Sequence, residues 1–198
     1  MIIKLSPVRS DAQLTVSRLV DMLTINNVAM DFSKLPDGAT LPASAVGSPH
    51  VLGTIERVDG KLIVTLRLPH SADAPHHARF PADIVDPADG AIQLPGLEIG
   101  EQQPSAAGVI DWSQVVTAEQ KATAQLEQLR TDAVAEAARN RAIADRAIGP
   151  LQDAVDLEEA TEAEAAELKA WKKYRIALIR VPDQPGYPDT IDWPAPPA

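Results

Sequence analysis

The sequence has no cysteine in its 198 residues, which removes disulfides, thiolate metal sites and cysteine nucleophiles together. It is poor in positive charge. Eighteen Lys and Arg stand against 28 Asp and Glu, a formal net charge of −10. A general nucleic-acid binder needs a basic footprint, and so does a protein drawn to anionic membranes. No apolar run approaches the roughly 18 residues of a spanning helix. At the start, Met1-Ile-Ile-Lys-Leu-Ser-Pro7 meets a lysine and a proline before an apolar stretch can develop, so no secretion signal is expected. These absences point to a soluble protein made in the cytoplasm. The length allows one large domain or two small ones with a real core.

What is present changes character near residue 97. Before it, Pro, Gly, Asp and aliphatic residues alternate. After a Pro/Gly/Ala stretch, the chain becomes rich in Ala, Glu, Gln and Arg. The expected class is therefore α+β: a mainly antiparallel β domain over 1–97, a linker over 98–116, then helices. The clearest β signal is Thr54–Val58, Asp59-Gly60 and Lys61–Leu68. Asp-Gly supplies the positive φ of a type I′ hairpin turn. Leu62, Val64, Leu66 and Leu68 then fall on one face of the second strand. Shorter strands are expected at Ile2–Leu5, Leu14–Arg18, Met22–Ile25, Val28–Phe32 and around Ile92 and Leu94, with Asn26-Asn27 as a turn. Frequent prolines exclude long helices here and keep strands short or at edges. A small sandwich or open barrel is the predicted form.

A long helix is predicted over 117–149. Thr117-Ala-Glu-Gln120 has the form of a capping box, and Gly149-Pro150 has the form of a stop. Its apolar stripe is thin: Leu126, Leu129, Ala133, Ala137, Ala144 and Ile148. Such a stripe suits close helix contact, either on its own chain or in self-association. A second helix is predicted from about Glu162 to Arg180, opened by a capping box at Thr161-Glu-Ala-Glu164. Acidic residues crowd its first half and basic ones its second, which complements the helix dipole. Leu168, Trp171, Tyr174, Leu178 and Val181 make one apolar face. Pro182 ends it, and the Pro-rich tail that follows must be extended or turned.

Residues 150–198 carry a specific series of motifs. Pro150-Leu-Gln-Asp-Ala-Val-Asp-Leu157 comes first, followed by Ala160-Thr161. Then come Leu168-Lys-Ala-Trp-Lys-Lys-Tyr-Arg175, Arg180-Val181 and Ile191-Asp-Trp-Pro194. This region resembles the C-terminal module of the tail fibre assembly proteins, the tail fibre chaperones of tailed phages, prophages and phage-derived bacteriocins. The Ala-rich helix before it fits the same family. Two positions depart from the pattern: Glu158-Glu159 stands where a Gly is often seen, and Ile179 where an Asn often precedes Arg-Val. Asp37-Gly-Ala-Thr-Leu-Pro42 and Leu66-Arg-Leu-Pro-His70 resemble segments of some phage tail proteins.

The resemblance implies a chaperone that binds the distal part of a trimeric tail fibre and assists its folding or trimerisation. The alternative is a structural protein that stays at the fibre tip and contacts the host receptor. It also implies work in the bacterial cytoplasm during assembly, with no cofactor. Trp171, Tyr174 and Arg175 occupy one helical turn and are either core or an aromatic-plus-arginine interface centre. Asp153 and Asp156 read as cap or turn residues of a short helical piece after Pro150, or as partner contacts. Trp193 and Pro194 dock either on their own chain or on the fibre. His70, Asp73, His76 and His77 share a Pro-rich loop but match no zinc-ligand spacing. No phosphate loop, nucleophile elbow or metalloprotease motif occurs, and no enzyme is expected.

Overall fold

A computed structural model of the chain describes residues 1–98 and 104–197. The chain divides into two compact units, Met1–Gln120 and Lys121–Ala198.

The first unit is built on two five-stranded sheets. Its strands are β1 (Ile2–Arg9), β2 (Val16–Leu19), β3 (Met22–Ile25), β4 (Val28–Asp31), β5 (Thr40–Pro42), β6 (Val51–Val58), β7 (Lys61–His70), β8 (Ile84–Val85), β9 (Gly90–Ala91) and β10 (Ala106–Ala107). One sheet runs β5-β6-β7-β1-β8, the other β10-β4-β3-β2-β9. Both turns read from the sequence form as expected. Asp59 and Gly60 have φ of 50° and 73°, and Asn26 and Asn27 have 47° and 66°. Positive φ at both central residues is what a two-residue hairpin between twisted strands requires.

One apolar cluster draws on both sheets. Ile3, Leu62, Val64 and Leu66 come from the first, and Leu23, Ile25 and Met30 from the second. Phe32 and Leu35 are fully buried in the same cluster. The expected alternation in β7 is present: Leu62, Val64, Leu66 and Leu68 are buried, whereas Ile63, Thr65 and Arg67 are not.

The sheets are mainly antiparallel, as expected, although the longest pairing is parallel, β1 on β7, with Ile2 opposite Ile63 through Arg9 opposite His70. No turn signal can announce a pairing sixty residues apart in sequence. The strand expected around Ile92 and Leu94 lies just before them, at Gly90–Ala91. Ile92 and Leu94 lie buried in the core just beyond. Finally, much of the 98–116 stretch is not free linker. Ala106–Ala107 pairs with β4, Val116 bridges to Thr40, and Ile110, Trp112 and Val115 pack on the core. Residues 99–103 of that stretch lie outside the described residues.

Among the described residues of this unit, Arg57 is the one charged residue in the buried set, 8% exposed. Its Nε donates to Leu35 O at 2.7 Å, and its two terminal nitrogens donate to Phe32 O, Gly60 O and Asp21 at 3.0–3.1 Å. A buried guanidinium is tolerated because its donors are met in this way. A short helix, α1 (His76–Arg79), lies between β7 and β8.

The second unit contains almost the whole of α2 (Ala118–Asp156) and all of α3 (Glu162–Ile179). Both capping boxes form. Thr117 N donates to Gln120 Oε1 at 2.9 Å and receives Gln120 N on its hydroxyl at 3.2 Å. Thr161 and Glu164 repeat the exchange at 2.8 and 3.2 Å. The predicted stop at Gly149-Pro150 is overturned: α2 runs through both residues. Both are solvent-exposed, while Ala144 and Ile148 before them are buried. Packing of that face outweighs the missing N–H of the proline. The helix ends seven residues later in a Schellman turn. Glu159 N reaches Ala154 O at 3.0 Å and Glu158 N reaches Val155 O at 3.1 Å. Glu158 adopts φ of 62°, the left-handed conformation that the motif demands.

Candidate functional site

The second unit gathers most of the residues singled out in the C-terminal motifs. The period of α3 places Leu168, Tyr174 and Leu178 on its buried face, and Val181 follows just beyond the helix, also buried. Tyr174 and Leu178 close on Ala144 of α2. Trp171 lies half-buried at the edge of this cluster, its ring 5.8 Å from that of Tyr174 and nearly perpendicular at 78°. Its indole N–H faces Glu167 at 3.3 Å.

The tail turns back onto the same cluster. Gln184 clamps Asp192 from both sides: its side-chain amide donates to Asp192 O at 2.8 Å and accepts Asp192 N at 2.8 Å. Thr190 N meets Gly186 O at 2.7 Å within this turn, and a Cβ on Gly186 would stand 2.5 Å from Thr190 O. Only glycine admits that approach. The clamp delivers Trp193, half-buried, against the Tyr174 cluster. Of the two dockings open for Trp193, this geometry realises the one on its own chain. Pro194 beside it is half-buried.

Arg175 does not project freely. Its guanidinium binds Asp145 of α2 at 2.8 Å. Lys172 donates to Gln152 at 2.5 Å, and Gln152 donates to Asp156 at 2.6 Å. These polar bridges pin α3 to the C-terminal half of α2. Asp153 and Asp156 are exposed within the last turn of α2. The reading of them as caps of a separate short helix is thereby corrected, because α2 does not restart after Pro150. The Glu164 carboxyl lies below its ordinary range, chiefly because the backbone N–H of Thr161 donates to it and then through the Thr161 hydroxyl. The structure thus brings Trp171, Tyr174 and Trp193 together and leaves Asp153 and Asp156 apart at the far end of α2.

Two surface features escaped the sequence reading. On the solvent side of α3, Lys169, Lys173, Ile176 and Arg180 follow one another at helical spacing, all exposed. No ion pair or side-chain hydrogen bond engages these three cations among the described residues. Spacings of four, three and four put them on one face, and the helix dipole offers a separate reason for cations in this half of the helix. The second feature is an apolar groove of about 350 Å³ between α2 and the end of α3, lined by Ala133, Val134, Ala137, Leu178, Ile179 and Tyr187. Ile179, one of the two departures from the family pattern, stands on its rim.

Residues 82–198 match the family described as Caudovirales tail fibre assembly protein, lambda gpK. The chain belongs to this family. The match reaches well before residue 150 and takes in all of α2. Among individual relatives, Protein TfaD of Escherichia coli (strain K12) is 58% identical over 55 residues, 28% of each chain. The Tail fiber assembly protein of Escherichia phage lambda is 56% identical over 55 residues, 28% of this chain and 27% of that protein. The Prophage tail fiber assembly protein homolog TfaR of Escherichia coli (strain K12) is 53% identical over 53 residues, 27% of each. The matched stretch thus spans little more than a quarter of these relatives' length. No solved structure matches the chain at a significant level.

Among the described residues, no group of three or more His, Asp or Glu is arranged to hold a metal. His76 and His77 open α1, with the His76 ring 4.8 Å from Phe80. No helix among the described residues is long and apolar enough to cross a membrane.

Proposed function

We propose that this protein is a tail fibre assembly chaperone that binds the distal part of a trimeric tail fibre in the host cytoplasm and assists its folding or trimerisation. Family membership across residues 82–198 carries the reading. Intertwined β-fibres form by non-local pairing and expose unpaired strand edges while they fold, which makes them slow and prone to aggregate. A partner that covers the distal edges holds three chains together until they register. Binding energy alone suffices for that work.

The second unit supplies a surface suited to it. Lys169, Lys173 and Arg180 surround exposed Ile176 on α3, an apolar anchor with a cationic rim. Interfaces gain most of their energy from such central anchors, while rim charges set the rate and orientation of encounter. Trp171, Tyr174 and Trp193, with Arg175 and Pro194, brace this helix from behind rather than meeting the fibre first. Asp153 and Asp156 extend the contact at the end of α2.

The test is co-expression with the cognate fibre. Fibre made with this chain should be soluble and trimeric by light scattering, and fibre made alone should be insoluble or non-trimeric. Lys169→Glu combined with Lys173→Glu should weaken the complex and flatten its salt dependence. Normal trimers formed in the absence of the chain would overturn the proposal.

A further inference from the structure

At one end of the β1–β7 pair, a cavity of about 290 Å³ opens among Arg9, Ser10, His50 and Arg67. Two of its groups are guanidiniums, yet no carboxylate lines it. Elsewhere in the same unit Arg18 and Arg57 each find an aspartate, Asp89 and Asp21. No hydrogen bond or ion pair engages the guanidinium of Arg9 or Arg67 among the described residues. In a chain of net charge −10, two such unmet cations in one concavity are out of keeping with the surface around them.

His50 adds a neutral donor. Asn26 Oδ1 accepts from Thr15 N at 2.9 Å, which fixes the orientation of that amide. Its Nδ2 therefore donates to His50 Nε2, 3.1 Å away, and the imidazole proton sits on Nδ1. Burial, and then the charge of Arg67, push the pKa of His50 below the usual imidazole value. The remaining wall is apolar, made by Val8, Ala12, Pro49 and Pro69.

We propose that this cavity binds a carboxylate carried on a short aliphatic stem, the side chain of an aspartate or glutamate presented by a polypeptide partner. Arginine forks match the planar carboxylate in bidentate fashion. The proline and valine wall matches methylene groups. It offers nothing to the hydrated faces of a phosphate, which seeks donors on every side.

The test uses the full-length chain and follows its four histidines by NMR, at constant ionic strength, with glutarate, inorganic phosphate or chloride added. An anion beside His50 favours the charged imidazole. Glutarate should therefore raise the His50 titration midpoint saturably while leaving His70, His76 and His77 in place. Arg67→Gln and Arg9→Gln change exposed side chains and should leave the remaining amide spectrum folded. Each should weaken glutarate binding about tenfold or more, the worth of a charged hydrogen bond. No saturable response, an equal response to phosphate, or unchanged affinity in both variants would overturn the proposal.

Discussion

Glu158→Gly should stabilise the second unit. Glu158 occupies the left-handed position of the Schellman turn that ends α2, with φ of 62°. A residue bearing a Cβ is disfavoured there by about 1–2 kcal/mol, whereas glycine is not. Part of that gain is lost because glycine is more mobile when unfolded, so a net gain of about 1 kcal/mol is expected. For a unit of this size, 1 kcal/mol corresponds to about 4–8 °C in the melting midpoint. Ellipticity at 222 nm is the natural assay, because α2 and α3 dominate it. Glu158→Ala separates geometry from charge: it removes the carboxylate but keeps the Cβ, and should not stabilise. Gly149→Ala gives an independent check on the unbroken helix. An added Cβ there meets nothing within 4 Å outside its chain neighbours, but Pro150 follows directly and crowds the Cβ of a helical residue before it. This offsets the gain of about 1 kcal/mol usual at an exposed mid-helix glycine, and little net change is expected. The two sites lie nine residues apart and should act additively. Failure of Glu158→Gly to raise the midpoint would refute the Schellman assignment. A gain of the full ~1 kcal/mol in Gly149→Ala would refute a helical residue 149 and with it the continuity of α2 through Pro150.

Arg57→Met should destabilise the first unit by about 3–5 kcal/mol, because it strands Asp21 and three carbonyls; urea denaturation followed through the β signal measures it. Gly186→Ala should disrupt the tail turn and expose Trp193, seen as a red-shifted and more quenchable indole emission. Trp171→Ala should cost less than the about 3–5 kcal/mol of a fully buried tryptophan, since its ring is only half-buried; thermal melting in parallel with Tyr174→Ala decides the order. Asp86 accepts from Lys61 at 2.6 Å and from the terminal amine at 2.9 Å, and these bonds lower its pKa to about 2. Its contribution is therefore complete above the ordinary aspartate range and lost as pH falls toward 2; Lys61→Ala should raise the midpoint in an NMR titration.

Local chemistry in the sequence announced local structure well. Asp59-Gly60 and Asn26-Asn27 turned as read, and Thr117 and Thr161 capped as read, because each signal acts within four residues. The α3 face was legible from spacing alone. What escaped depends on distant partners. The β1–β7 pairing has no marker in either strand. Pro150 reads as a helix stop until the burial of Ala144 and Ile148 is known. Residues 106–116 read as linker because their composition is mixed, yet they supply an edge strand and Trp112 to the core. At the candidate site, the motif residues were visible but their orientation was not. Arg175, open to a core or an interface role, is tied to Asp145, and Trp193, open to docking on its own chain or on a fibre, packs by the Tyr174 cluster beside the Gln184–Asp192 clamp. The exposed Lys169, Lys173 and Arg180 were hidden by a sufficient alternative reason for being there.

The placement of β1 between β7 and β8 has a consequence for how the polypeptide is made. This strand leaves the ribosome long before its neighbours exist. At about 5–20 residues per second, the sixty residues separating it from β7 take about 3–12 s to appear. During that interval Ile3 and Leu5 have no sheet to enter, whereas β2, β3 and β4 already form a meander of their own. The first sheet therefore closes late and from its middle, and a nascent chain stalled before residue 70 should present its first strand to any strand edge within reach.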